Sequence, residues 1–123
     1  MARASVTLYG IPNCDTVKKA RAWLAEHEVA VRFHDFKKAG VPAEHLRRWI
    51  DAVGWERLLN RQGTTWRQLD AATQAGVHDA ASAAALLQAH ASAIRRPVVE
   101  WDAGQPAITV GFAPADWLAR LKG

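Results

Sequence analysis

The chain has 123 residues, half of them hydrophobic, which suits one domain with an ordinary core. No run of about 18 apolar residues occurs, and Met1-Ala2-Arg3-Ala4-Ser5 leads straight into a strand pattern, so neither a membrane-spanning helix nor a signal peptide is expected. The net charge is +4, but the basic residues are scattered along several segments, which argues against direct nucleic-acid binding and for local binding of small anions.

Val6 to Tyr9 reads as a first strand, and Pro12 and Asn13 mark a turn after it. Val17, Ala20, Arg21, Trp23 and Leu24 then predict a helix over Asp15 to His27 with one apolar face. Val29 to Phe36 alternates with apolar residues at 29, 31 and 33 and reads as a second strand. A β-α-β opening with so short a return favours a parallel pair. Gly40-Val41-Pro42 breaks the chain, and a helix follows with Leu46, Trp49, Ile50 and Val53 on one face, punctuated by Gly54. Trp55 to Leu59 forms another turn or two. Thr64 to Leu69 predicts a short helix capped by a threonine, with Trp66 packing. Asp79 begins an alanine-rich helix over roughly Ala80 to Gln88.

Strand character returns at Arg96 to Trp101, Asp102-Ala103-Gly104-Gln105 signals a hairpin turn, and Ala107 to Phe112 answers as the last strand. Pro114 opens a closing helix with Trp117, Leu118 and Leu121 on its buried side. Of the six tryptophans, Trp49, Trp55, Trp66 and Trp117 fit apolar faces and are expected in the core. The order β-α-β, helices, β-β-α is that of an α/β thioredoxin-like fold with a mixed four-stranded sheet. A single domain over residues 1–123 is expected, with a helical insertion at about 42–92.

The only cysteine, Cys14, falls at the first strand-to-helix junction. One cysteine excludes an internal disulfide framework and points to a reducing, cytoplasmic compartment. Helix N-terminal N–H groups lack intrahelical partners, and the helix dipole adds partial positive charge there. A thiol so placed titrates below the free value of about 8.5, and Lys18 and Lys19 one turn on add positive potential. Thiolate is the nucleophilic form, and Pro-Asn-Cys-Asp-Thr is too polar for a core segment, so Cys14 is expected to be reactive. Position 17 is valine, so no Cys-x-x-Cys pair exists and any disulfide on Cys14 must be resolved by an outside thiol. His27, His34, His45, His78 and His90 show no metal-site spacing, and no bound metal or cofactor is expected.

The pattern Tyr9-x-x-Pro12-x-Cys14-x-Thr16, the helical middle and Arg96-Pro97-Val98-Val99 resemble the arsenate reductase-like family of thioredoxin-fold proteins. Leu8 to Ala20, Gly63-Thr64-Thr65-Trp66-Arg67 and Asp79 to Ala83 resemble most closely its YffB-like branch, related to Spx/MgsR-type regulators. The resemblance covers essentially the whole chain. It implies a glutathione-dependent thiol reductase with Cys14 as nucleophile, glutathione as co-substrate and glutaredoxin as a possible further partner. It also implies that Arg96, before a cis-proline at Pro97, points at the Cys14 loop, where a guanidinium binds a carboxylate or oxyanion bidentately. Arg95 competes with it for that role. Asn13, Lys18, Arg61 and Pro97 are the expected substrate-binding residues.

The chain also departs from the arsenate reductases in this family. Asn60, with Arg61 beside it, stands at the position of one oxyanion-binding arginine, and the last strand has no arginine. Gly10 stands where a pKa-lowering histidine precedes the nucleophile by four residues. Little arsenate reduction is therefore expected. Two alternatives to the thiol reductase are arsenate reductase itself and an Spx-like regulator that binds RNA polymerase.

Overall fold

The computed structural model describes residues 4–122, so the expectation drawn from Met1 to Arg3 lies outside the described residues. The described residues divide into two compact units, one made of residues 4–35 with 96–122 and the other of residues 36–95.

The first unit is a sheet with helices. Strand β1 spans Ser5–Gly10, helix α1 Asp15–Glu26 and strand β2 Ala30–Asp35. After the helical unit come β3 (Val98–Trp101), β4 (Ile108–Val110) and helix α8 (Pro114–Lys122). The sheet order is β2-β1-β3-β4, with β1 parallel to β2 and the other pairs antiparallel. This is the expected α/β thioredoxin-like fold with its mixed four-stranded sheet.

Alternate residues of β1 and β3 face one side, where Val6 lies opposite Trp101 and Leu8 opposite Val99. All four are buried, and Val17, Ala20 and Leu24 of α1 pack with them. Those three recur at the spacing of a helical stripe, which is why α1 lies along the sheet. Trp117 of α8 closes this core, with the rings of Trp23, Trp101 and Phe112 edge-on to it at 5.6, 5.4 and 5.1 Å. Edge-to-face packing of this kind adds to the apolar burial.

The second unit contains α2 (Phe36–Ala39), α3 (Ala43–Val53), α4 (Trp55–Leu58), α5 (Thr64–Arg67), α6 (Ala71–Ala75) and α7 (Ala80–Ala89), then a 3-10 turn at Ala91–Ala93. Trp49, Leu46, Leu58, Leu59, Leu87 and Ile94 are its largest fully buried side chains. Asp79 and Ser82 form a reciprocal capping box at the start of α7.

Several expectations need correction. Phe36 opens α2 instead of ending β2, and as a buried residue 6.1 Å from the Trp49 ring it belongs to the helical core. The short helix at Thr64 has Gly63 at its N-cap and no side-chain cap, so neither threonine plays that role. Trp55 and Trp66 are half-buried, on helices of four residues that have too little surface to enclose an indole. Leu118 is 37% exposed, because it lies about 100° round the helix from Trp117. The hairpin loop is longer than the predicted turn, with Gly104 at φ +89 and a cis Gln105–Pro106 peptide, so β4 starts only at Ile108. The helix Ala71–Ala75, capped by Asp70 onto the Thr73 N–H, was not expected, since five small and polar residues show no apolar period.

Candidate active site

The site grows out of the end of β1. A Cβ on Gly10 would lie 2.8 Å from Cγ2 of Val17, so the strand passes hard against the first turn of α1. A larger residue at position 10, histidine included, would force the two apart. Pro12 and Asn13 then turn the chain, with the Cys14 N–H bonding the Ile11 carbonyl at 3.2 Å. Cys14 is the N-cap of α1 in extended conformation (φ −92, ψ 125), and its carbonyl accepts the first helical bond, from the Lys18 N–H at 2.9 Å. No side chain caps this helix.

The N–H groups at this open end act on the titration of the thiol. Partial burial pushes the Cys14 thiol up, but the Val17 N–H, the hydrogen bond and charge of Arg96, and the Thr16 N–H together outweigh it. The thiol is therefore held below its ordinary value. The charge that lowers it is that of Arg96, while Lys18 and Lys19 are exposed further along α1.

Arg96 arrives from the other end of the unit. The Arg96–Pro97 peptide is cis, Pro97 is buried, and its carbonyl accepts a bond from the Gly111 N–H at 2.8 Å. This anchors the start of β3 beside the Cys14 loop. Arg95 is occupied elsewhere, its Nε donating to the Arg57 carbonyl at 2.9 Å within the helical unit. The unit boundary falls between these two arginines, and each serves its own unit.

Of the six predicted site residues, Cys14, Arg96 and Pro97 are thus brought together. Asn13 is exposed on the loop next to Cys14, and Lys18 is exposed on α1. Arg61 lies in the helical unit with its guanidinium carbon 5.5 Å from the Trp55 ring centre. Beneath the loop, the buried Tyr9 donates its hydroxyl proton to Oε1 of Glu100 at 2.7 Å and lies 5.0 Å from the His34 ring. Sequence reasoning missed this pair, although Tyr9 and Glu100 occupy the β1 and β3 positions that face away from the apolar core. Among the described residues no three His, Cys, Asp or Glu side chains converge as metal ligands, and no helix is long and apolar enough to cross a membrane.

A thiol at the first helix N-terminus of this sheet, facing an arginine before a cis-proline, defines an arsenate reductase-like protein of thioredoxin-like fold. The chain belongs to the ArsC family, whose model matches residues 9–120. A solved protein named YFFB is similar over 94% of this chain and 98% of its own, with 50% identity and a TM-score of 0.86. An arsenate reductase (ArsC) related protein from Brucella melitensis shares 49% identity over 97% of this chain and 96% of its own, with a TM-score of 0.71. The global transcriptional regulator Spx of Streptococcus agalactiae is 28% identical over 96 residues, covering 76% of this chain and 69% of that protein.

Proposed function

We propose that the chain is a cytoplasmic, glutathione-dependent thiol–disulfide reductase with Cys14 as its nucleophile. The observation that carries this is the position of Cys14 at the uncapped N-terminus of α1, where the helix N–H groups and Arg96 lower the pKa of its thiol. Cys14 thiolate attacks one sulfur of a disulfide, forming a mixed disulfide and expelling the other sulfur as a thiolate, which takes a proton from solvent. Glutathione thiolate then attacks the mixed disulfide, returning Cys14 as thiolate and leaving with the bound half as a new disulfide. The chain has no second cysteine, so this external step is obligatory. Arg96 orients a carboxylate of the glutathione moiety, with Asn13, Lys18 and Arg61 as further contacts and glutaredoxin as an alternative resolving thiol.

Intact mass tests the reading. Oxidised glutathione should add one glutathione to the wild type, reduced glutathione should remove it, and Cys14→Ser should remain unmodified. Absence of the adduct sinks the proposal. Arsenate reduction is the weaker reading, since the final strand has no arginine and Asn60 stands in the helical unit. Each missing contact to a transition-state oxyanion costs on the order of 2–4 kcal/mol. Arsenate-dependent NADPH oxidation, coupled through glutathione and glutaredoxin, should fall far below about 1–10 per second, and a rate in that range would reinstate it. The likeness to Spx favours a second reading, a regulator that binds RNA polymerase. Binding to purified polymerase, retained in Cys14→Ser, would support that reading over the enzyme.

A further inference from the structure

The sheet unit holds a recess away from Cys14. It has a volume of about 300 Å³ and is lined by Ala4, Ser5, Trp101, Gly104, Arg120 and Leu121, together with Ala103. β1 begins at this recess with Ser5 and ends at the Cys14 loop with Gly10, so roughly 17 Å of strand separates the two places. The volume matches the lower end of small-ligand sites.

Arg120 is the one charged residue in the lining. Its guanidinium carbon lies 4.2 Å over the Trp101 ring, and Nη2 donates to the Ala103 carbonyl at 3.2 Å. No carboxylate of the described residues pairs with it. Asp102, the nearest acid in sequence to the recess, is taken by the Ser5 hydroxyl and by Arg32 at 2.8 Å. Asp116, one turn earlier on α8, is exposed and forms no ion pair with Arg120. Burial lowers the Arg120 pKa with no opposing charge to offset it. Gly104, at φ +89, gives the guanidinium its space, since a Cβ there would come within 3.1 Å of Nη2. The recess therefore offers one planar cation, stacked and partly desolvated, among apolar walls.

We propose that this recess is a binding site for a small organic carboxylate with a short apolar tail. The carboxylate pairs with the Arg120 fork, and the tail lies against Trp101, Ala4 and Leu121. A single guanidinium balances one carboxylate charge, whereas a phosphate dianion requires more donors than the lining supplies.

Hexanoate is the probe, and the reporter is the Trp101 indole N–H resonance of the 15N-labelled chain, a proton donated to Thr109 Oγ1 at 2.8 Å. Hexanoate should shift this resonance saturably, with a dissociation constant of about a millimolar or less. Arg120→Gln should weaken binding about tenfold or more, with Arg120→Lys between it and wild type. Ala4→Leu, which fills the recess and leaves Arg120 in place, should also weaken binding, and Cys14→Ser should leave it unchanged. Hexanamide, which lacks the charge, and inorganic phosphate, which lacks the tail, should each bind at least about tenfold more weakly. The proposal is overturned if hexanoate gives no saturable shift, if hexanamide or phosphate matches it, or if affinity survives in both Arg120→Gln and Ala4→Leu.

Discussion

Helices α1 and α7 begin in opposite ways. At α7 the Asp79 carboxylate accepts the Ser82 N–H and the Ser82 hydroxyl reaches back to the Asp79 N–H, so the end is closed on itself. At α1 the N-cap is Cys14, no side chain caps the turn, and the Thr16 and Val17 N–H groups lower the pKa of its thiol. The donors and the dipole are the same at both ends. One end spends them on holding the helix and the other on holding a thiolate. A helix start without a capping oxygen is a weaker structural element, and at α1 the deficit is met by the buried stripe Val17, Ala20 and Leu24.

The largest expected effect breaks the α1 side outright. Cys14→Ser should abolish disulfide exchange, because a hydroxyl is a poor nucleophile at neutral pH. Its fold should persist, since serine is a favourable N-cap, and circular dichroism with thermal melting checks this. Turnover in Cys14→Ser would remove the cysteine from the mechanism.

Next in size is the loss of the arginine. Arg96→Ala removes both the hydrogen bond and the charge on the thiol, so glutathionylation of Cys14 should slow about tenfold or more. Arg96→Lys keeps the charge without the planar fork and should fall between. Arg95→Ala loses one exposed bond to the Arg57 carbonyl, so its rate should stay at the wild-type level. A stopped-flow series over these variants would contradict the assignment if Arg95→Ala proved the slower.

Much of this arrangement is legible in the sequence because it is local. Cys14 between a strand pattern and a helix pattern already places sulfur at free N–H groups, and Asp79 reads as the start of an alanine-rich helix. What is not legible depends on chain segments distant in sequence. Lys18 and Lys19 are neighbours of Cys14 in the chain, yet the cation acting on its thiol is Arg96, brought in by β3 pairing with β1; the family resemblance implied that place, and spacing alone does not. The packing of Gly10 on Val17 depends on how α1 lies across the strand, which no spacing encodes. Tyr9 and Glu100 meet only once the sheet register is fixed.

A smaller effect tests the α7 side. Asp79→Ala opens the capping box and should lower the thermal midpoint by a few degrees while leaving Cys14 alkylation unchanged. If Cys14 reactivity fell with it, the two helix starts would be coupled and the contrast between them would fail.

The smallest effect is the dependence of stability on pH, and both helix starts give it the same sign. Hydrogen bonds from the Ser82 side chain and N–H hold Asp79 below the usual carboxylate range. Its contribution is complete above the unfolded value of about 3.9 and is lost as pH falls through the folded one. Cys14 is also lowered on balance, the N–H groups and Arg96 outweighing the burial that raises it. The unfolded chain then binds more protons than the folded chain in the interval below about pH 8.5, so stability must rise with pH across it. Above that interval the contribution is complete, and below the folded pKa it is absent. Urea unfolding of wild type and Cys14→Ser under reducing conditions, from about pH 6 to 9.5, isolates the term. Serine contributes a constant offset through its better capping, so only the trend of the difference counts. The difference should move in favour of wild type as pH rises, in step with the alkylation rate by iodoacetamide, whose midpoint should fall below about 8.5. A difference that stays flat, or that moves toward the serine variant, would mean that the open start of α1 does not hold a thiolate.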